Sequence, residues 1–125
     1  MFPIFDRITK SIVDRRSSGS IEKDFHPFVP ITKSLIEEHI PNHGAATFSR
    51  MLPGAILNPH RGYHTDHLRY HLGIDVPEGN CGLRCGAKIY RWKNRESFVF
   101  DDRELHNAWN KTKKRRTILM IDFIP

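Results

Sequence analysis

HRGYHTDHLRYH, residues 60–71, spaces His60, His64, His67 and His71 at intervals of four, three and four. On an α-helix that spacing would bring all four imidazoles to one face, as a metal-binding stripe requires. The surrounding residues argue otherwise. Pro59 and Gly62 oppose a helix at its start. From His67 the order alternates, with Leu68, Tyr70 and Leu72 set against Arg69, His71 and Gly73, which is the period of a half-buried strand. The helical spacing is therefore accidental. His60 belongs to a loop or strand end, His64 and His67 to a connecting loop, and Arg69 and His71 share one face of a strand.

The same texture extends in both directions. Candidate strands are ATFSRML (46–52), AILN (55–58), HLRYHLGI (67–74), GLRCG (82–86), KIYRW (88–92), ESFVF (96–100), HNAW (106–109) and RTILMIDFI (116–124). Turn signals separate them: PG at 53–54, PEGN at 77–80, RWKNRE at 91–96 and NKTKKR at 110–115. Short strands at such spacing predict an all-β sandwich or barrel. One amphipathic helix leads in, ITKSLIEEHI (31–40), with Pro30 before it and Pro41 to stop it. The linker-like RRSSGS (15–20) marks residues 1–20 as an N-terminal appendage and 21–125 as the main domain. Within the appendage, Ile4, Phe5, Ile8, Ile12 and Val13 with Arg7, Lys10, Arg15 and Arg16 read as a short amphipathic helix docked on its own domain.

The chain has 125 residues, of which 38% are hydrophobic, enough for one core. A net charge of +6 favours anionic partners or simply good solubility. Cys81 and Cys85 are too few for a disulfide framework or a four-cysteine zinc site, and read as reduced thiols of a cytoplasmic-type protein. No stretch approaches the ~20 apolar residues of a membrane-spanning helix.

If Leu68, Tyr70 and Leu72 pack outward, Arg69 and His71 face a barrel interior. Burying that pair without an anion is expensive, and a bound dicarboxylate would satisfy it; otherwise the face is solvated. Further along, His106 stands in FDDRELHNAW (100–109), and Arg116 opens the last apolar strand. A β-barrel can gather His60, His106 and Arg116 around one metal. Neutral imidazoles suit iron(II) and related ions, and a nearby arginine can hold a carboxylate.

Four blocks in order, SRMLPGAILNPHRG, LRYHLGIDVPEGNCGLRCG, FVFDDRELHNAWN and RRTILMIDFIP, resemble the aspartyl/asparaginyl β-hydroxylase family of iron(II)- and 2-oxoglutarate-dependent oxygenases. The resemblance runs from about residue 46 to 125. It implies a double-stranded β-helix, the jelly roll or cupin-like fold. It implies that His60 and His106 hold iron, and that Arg69 and His71 contact 2-oxoglutarate. Arg116 would then bind the distal carboxylate of that cosubstrate, and Ser49 would contact the same cosubstrate. Related oxygenases carry a carboxylate two residues after the first histidine; here that residue is Gly62, as in this family. Iron would have two protein ligands, with water, 2-oxoglutarate and O2 in the remaining positions. Asp102 is then expected to orient the His106 loop rather than bind metal.

The reaction implied is hydroxylation of an unactivated C–H bond, with release of succinate and CO2. Family members act on aspartyl or asparaginyl side chains, on acyl chains of lipid A and on small molecules, so the substrate stays open, with a weak lean towards acidic ones. The competing readings are a non-catalytic metal- or carboxylate-binding barrel and a nucleic-acid module using KTKKRR (111–116). No aromatic residue interleaves with that basic run, which favours a solvated hairpin tip. His64, His67 and Asp66 fall outside the motif positions and read as loop residues. Cys81 and Cys85 read as core, and Trp92 and Trp109 as core or pocket walls.

Overall fold

A computed structural model describes residues 2–5, 30–40, 42–62 and 66–125. Among these, nine strands and one helix follow in order: β1 (Phe2–Phe5), α1 (Pro30–His39), β2 (His43–Met51), β3 (Ile56–His60), β4 (Leu68–Asp75), β5 (Cys81–Cys85), β6 (Lys88–Arg91), β7 (Ser97–Phe100), β8 (His106–Asn110) and β9 (Arg116–Phe123). They form two antiparallel sheets. One has the order β1-β2-β9-β4-β7 and the other β3-β8-β5-β6. The chain passes from sheet to sheet as it winds, the topology of a double-stranded β-helix.

Alternation along β4 and β9 decides what lies between the sheets. Tyr70 pairs with Ile121 and Leu72 with Leu119 on the outer face, where they pack with Ala46 and Phe48 against Ile36 of α1 and Ile40 just after it. The other face looks inward. There Arg69 sits opposite Asp122, His71 opposite Met120 and Gly73 opposite Ile118. Cys81, Leu83, Cys85 and Ala108 of the second sheet close on this face, with Val76, Trp92 and Phe100, to make the inner core. Both cysteines are buried thiols, and burial raises the pKa of each. Helix α1 uses only part of its apolar set, since Ile31 and Leu35 remain exposed.

Phe2–Phe5 is an edge strand on β2, with Phe2 opposite Phe48 and Phe5 opposite Ala46, rather than part of an amphipathic helix. Pro3 explains the difference. The residue before a proline is driven to extended backbone, and an edge strand tolerates the missing N–H. Residues 6–20, the rest of the expected helix and the linker, lie outside the described residues.

One side chain ties two turns of the barrel together. Asn110 is fully buried. Its amide donates to Met51 O (3.1 Å) and Lys114 O (2.8 Å), and its Oδ1 accepts from Thr112 N and Oγ1. Its backbone also pairs with Gly54 and Ala55. The turn after β2 and the basic turn before β9 are thus joined through one residue. Asn110→Ala would strand two carbonyls in the interior, and we expect a loss of about 3 kcal/mol in urea unfolding.

Candidate functional site

A cavity of about 580 Å³ opens between the sheets. Ser49, His60, Arg69, His71, His106 and Arg116 all line it. Every site residue expected from the sequence therefore converges on one space.

His60 ends β3 and His106 begins β8, and the two are paired across the sheet. Their ring centroids lie 4.3 Å apart at 61°. Each Nδ1 meets a backbone carbonyl two residues earlier, His60 with Asn58 O and His106 with Glu104 O, both at 2.8 Å. A carbonyl only accepts, so both Nδ1 atoms carry the proton and both Nε2 atoms keep the lone pair a metal needs. Burial holds the His106 pKa below the ordinary imidazole value, which keeps that lone pair available to lower pH. Among the described residues no three His, Cys, Asp or Glu side chains are grouped to hold a metal. A metal here would have two protein ligands.

Arg116 reaches the same cavity from β9. Its Nη2 donates to Ser49 Oγ (2.9 Å) and Ser49 O (3.2 Å), and its guanidinium stacks on the Trp92 ring at 4.3 Å. Burial pushes its pKa down to about 10, which still leaves it charged at neutral pH. Its Nε is buried and has no hydrogen-bond partner among the described residues. Arg69 differs, since it has carboxylate partners within the protein. Its Nη2 donates to Asp102 Oδ2 at 3.0 Å, and its Nε lies 2.6 Å from Asp122 Oδ1. The second contact is ionic rather than directional, because the N–H is out of line with the oxygen. Arg69 thus has carboxylate partners within the protein, while among the described residues Arg116 has none.

Asp102 is tied to Arg69 and to Gly62. Its backbone carbonyl accepts from Gly62 N at 2.7 Å. A Cβ built on Gly62 would fall 2.3 Å from Asp102 Oδ2. The space beside residue 62 is filled by a carboxylate from another loop. His67 pairs with Asp66 at 2.6 Å before β4, and neither lines the cavity. His64 lies outside the described residues. Cys81 and Cys85 do not line the cavity either. The residues sequence reasoning missed are Asp122 and the apolar walls Met51, Leu83, Phe100, Ala108 and Met120.

His71 is buried among Trp92, Phe98 and Phe100. Desolvation, then Arg69, Arg116 and His106, hold its pKa well below the ordinary value. The unfolded chain takes up a proton near pH 6.5 that the folded ring refuses. Stability must then fall as pH drops below about 6.5, by up to ~1.4 kcal/mol per pH unit from this group. Chemical denaturation of His71→Gln from pH 7 to 5 should show a shallower decline than the parent. Gly62→Ala should lose about 2 kcal/mol or more in the same assay, because Asp102 cannot retreat without leaving Arg69.

Residues 16–125 match the family model described as aspartyl/asparaginyl beta-hydroxylase. The chain is 39% identical over 97 residues to an ornithine lipid ester-linked acyl 2-hydroxylase of Rhizobium tropici, covering 76% of this chain and 34% of that protein. It is 33% identical over 97 residues to the aspartyl/asparaginyl beta-hydroxylase of Mus musculus, covering 74% of this chain and 13% of that one. The chain therefore spans about a third or less of these relatives. Among solved structures, it resembles the cupin domain of an XRE family transcriptional regulator from Enterobacter cloacae, with a TM-score of 0.55 and 11% identity over 65% of this chain and 81% of that one. A predicted oxalate decarboxylase from Thermotoga maritima gives a TM-score of 0.54 and 14% identity over 72% and 74%. These structural likenesses carry the fold alone. With the converged site and the sequence match taken together, the chain belongs to the aspartyl/asparaginyl β-hydroxylase family.

Proposed function

We propose that this chain is an iron(II)- and 2-oxoglutarate-dependent hydroxylase of unactivated C–H bonds. The observation that carries the reading is the pairing of two Nε2 lone pairs, on His60 and His106, with a buried guanidinium on Arg116 that has no carboxylate partner among the described residues, in one cavity. Two imidazoles and open positions suit iron(II), and a fixed guanidinium beside a serine hydroxyl suits a carboxylate. Bound iron would supply the activation of O2 and the hydroxylation itself.

The chain's own residues then have distinct tasks. Arg116 and Ser49 would hold the distal carboxylate. The buried His71 ring offers a polar contact inside an otherwise aromatic wall, and the Arg69–Asp102–Asp122 group fixes the floor beside Gly62. Met51, Leu83, Phe100, Ala108 and Met120 keep water away from the reacting atoms. Towards the outside, the lining changes to Leu52, Ile56 and Leu57, which are exposed yet face the cavity. An apolar lip suits an acyl chain better than a charged side chain. That favours an acyl substrate, in line with the name of the Rhizobium relative, over an aspartyl or asparaginyl one. Among the described residues no helix is long and apolar enough to cross a membrane.

The test is succinate formation from 2-oxoglutarate with iron(II), ascorbate and O2. His106→Ala and Arg116→Ala should each lower turnover by roughly a hundredfold. Anaerobic 2-oxoglutarate should give the iron-loaded parent a visible charge-transfer band. A folded protein with neither turnover nor band would overturn the proposal and leave a barrel without this chemistry.

A further inference from the structure

The inner wall holds a second buried atom with no partner among the described residues, His71 Nε2. Its other ring nitrogen is engaged. Trp92 Nε1 lies 3.1 Å from His71 Nδ1. An indole N–H only donates, so Nδ1 must accept. A ring that accepts at Nδ1 and is neutral must carry its proton on Nε2. The surroundings leave no room for a charged ring: it sits among Trp92, Phe98 and Phe100, with Arg69, Arg116 and His106 as its nearby titratable groups.

We propose that Trp92 is a positioning residue: its indole N–H fixes His71 as the Nε2–H tautomer, so the cavity presents a neutral, preoriented donor to a bound anion. The same indole ring lies under the Arg116 guanidinium. One side chain therefore sets both the donor at His71 and the orientation of the cation at Arg116.

The placement of Trp92 is built rather than incidental. It opens the loop after β6, and that loop is pinned against β4. Gly73 donates to Glu96 O and accepts from Arg95 N, both at 3.0 Å. Asn94 Oδ1 accepts from Val76 N at 2.6 Å, and its amide donates to Val76 O at 3.3 Å. A Cβ at Gly73 would lie 2.0 Å from Lys93 O, so only glycine lets the loop come this close. Trp92 itself is buried. A merely space-filling tryptophan would need none of this, and its N–H would need some other acceptor.

The proposal rests on the proposed function only for the identity of the anion; the tautomer is a property of the free protein. The first test is a long-range proton–nitrogen correlation spectrum of the protein labelled with ¹⁵N-histidine and free of metal. His71 is assigned by its absence in His71→Gln. We expect a single Nε2–H tautomer for His71, and averaged shifts in Trp92→Phe, which keeps an aromatic ring under Arg116 but loses the donor. An Nδ1–H form, a protonated ring or averaged shifts in the parent would overturn the proposal, whether or not 2-oxoglutarate proves to be the ligand.

The second test is a double-mutant cycle on anaerobic 2-oxoglutarate binding to the iron-loaded protein. Trp92→Phe should weaken binding roughly five- to tenfold, as expected for one fixed hydrogen bond. In a His71→Gln background, where the amide donates without tautomer control, the same change should have no effect. An equal loss in both backgrounds would mean that Trp92 acts by packing or through Arg116 alone, and would overturn it.

Discussion

A guanidinium that keeps its charge has been placed 4% exposed between two β-sheets. Taking such a group out of water costs several kcal/mol unless charge or hydrogen bonds replace the solvent. What replaces it here is partial. Ser49 supplies two acceptors and the Trp92 ring a negative π-face, and Nε has neither. Arg69, which lines the same cavity, has a carboxylate on each side of it. The contrast between the two arginines is the reason to read the cavity as unfinished without an anion. Among the described residues no carboxylate stands beside Arg116 in the same way.

The inner wall follows from this constraint. Burial first, and then the charges of Arg69 and Arg116, disfavour a protonated His71, and its Nδ1 meets a donor, the Trp92 indole N–H, that asks for no proton in return. His60 and His106 obey the opposite logic. Their partners are carbonyls, which accept a hydrogen bond from Nδ1–H and leave the Nε2 lone pair free in the neutral ring. Three histidines at one cavity are thus sorted into two whose Nε2 is left to accept and one whose Nε2 is left to donate, by the identity of the group on Nδ1, a backbone carbonyl in two cases and an indole in the third.

Much of this was legible from the residues because β-structure writes its face into period two. Leu68–Gly73 announced which side chains look inward, and β4 places them there. The turn residues PG and PEGN fell between strands as expected, since their backbone preferences are local. What the sequence hid were contacts that period two does not encode. Phe2–Phe5 looked helical by its apolar spacing, and long-range pairing with β2 won over that weak local signal. Trp92 lies in a loop after β6, so its partner could only be found once the loop was seen docked at Gly73. Asp122 was recoverable in principle. It stands at an even offset from Arg116 in an apolar strand, which puts an acid on the inward face, where it needs a cation.

Gly62 draws the remaining distinction. Beside a two-histidine centre a glycine invites the view that a third ligand has been lost and its place left open. The geometry argues that the place is taken. Asp102 brings its carboxylate to within 2.3 Å of where a side chain at 62 would begin, and holds Gly62 N with its own carbonyl. That carboxylate is anchored by Arg69, which is anchored in turn by Asp122 on the central strand β9. A carboxylate at 62 would therefore displace the group that keeps Arg69 buried and paired. The glycine, the two aspartates and Arg69 form one unit, in which the negative charge near the two histidines is delivered through the second loop instead of the first.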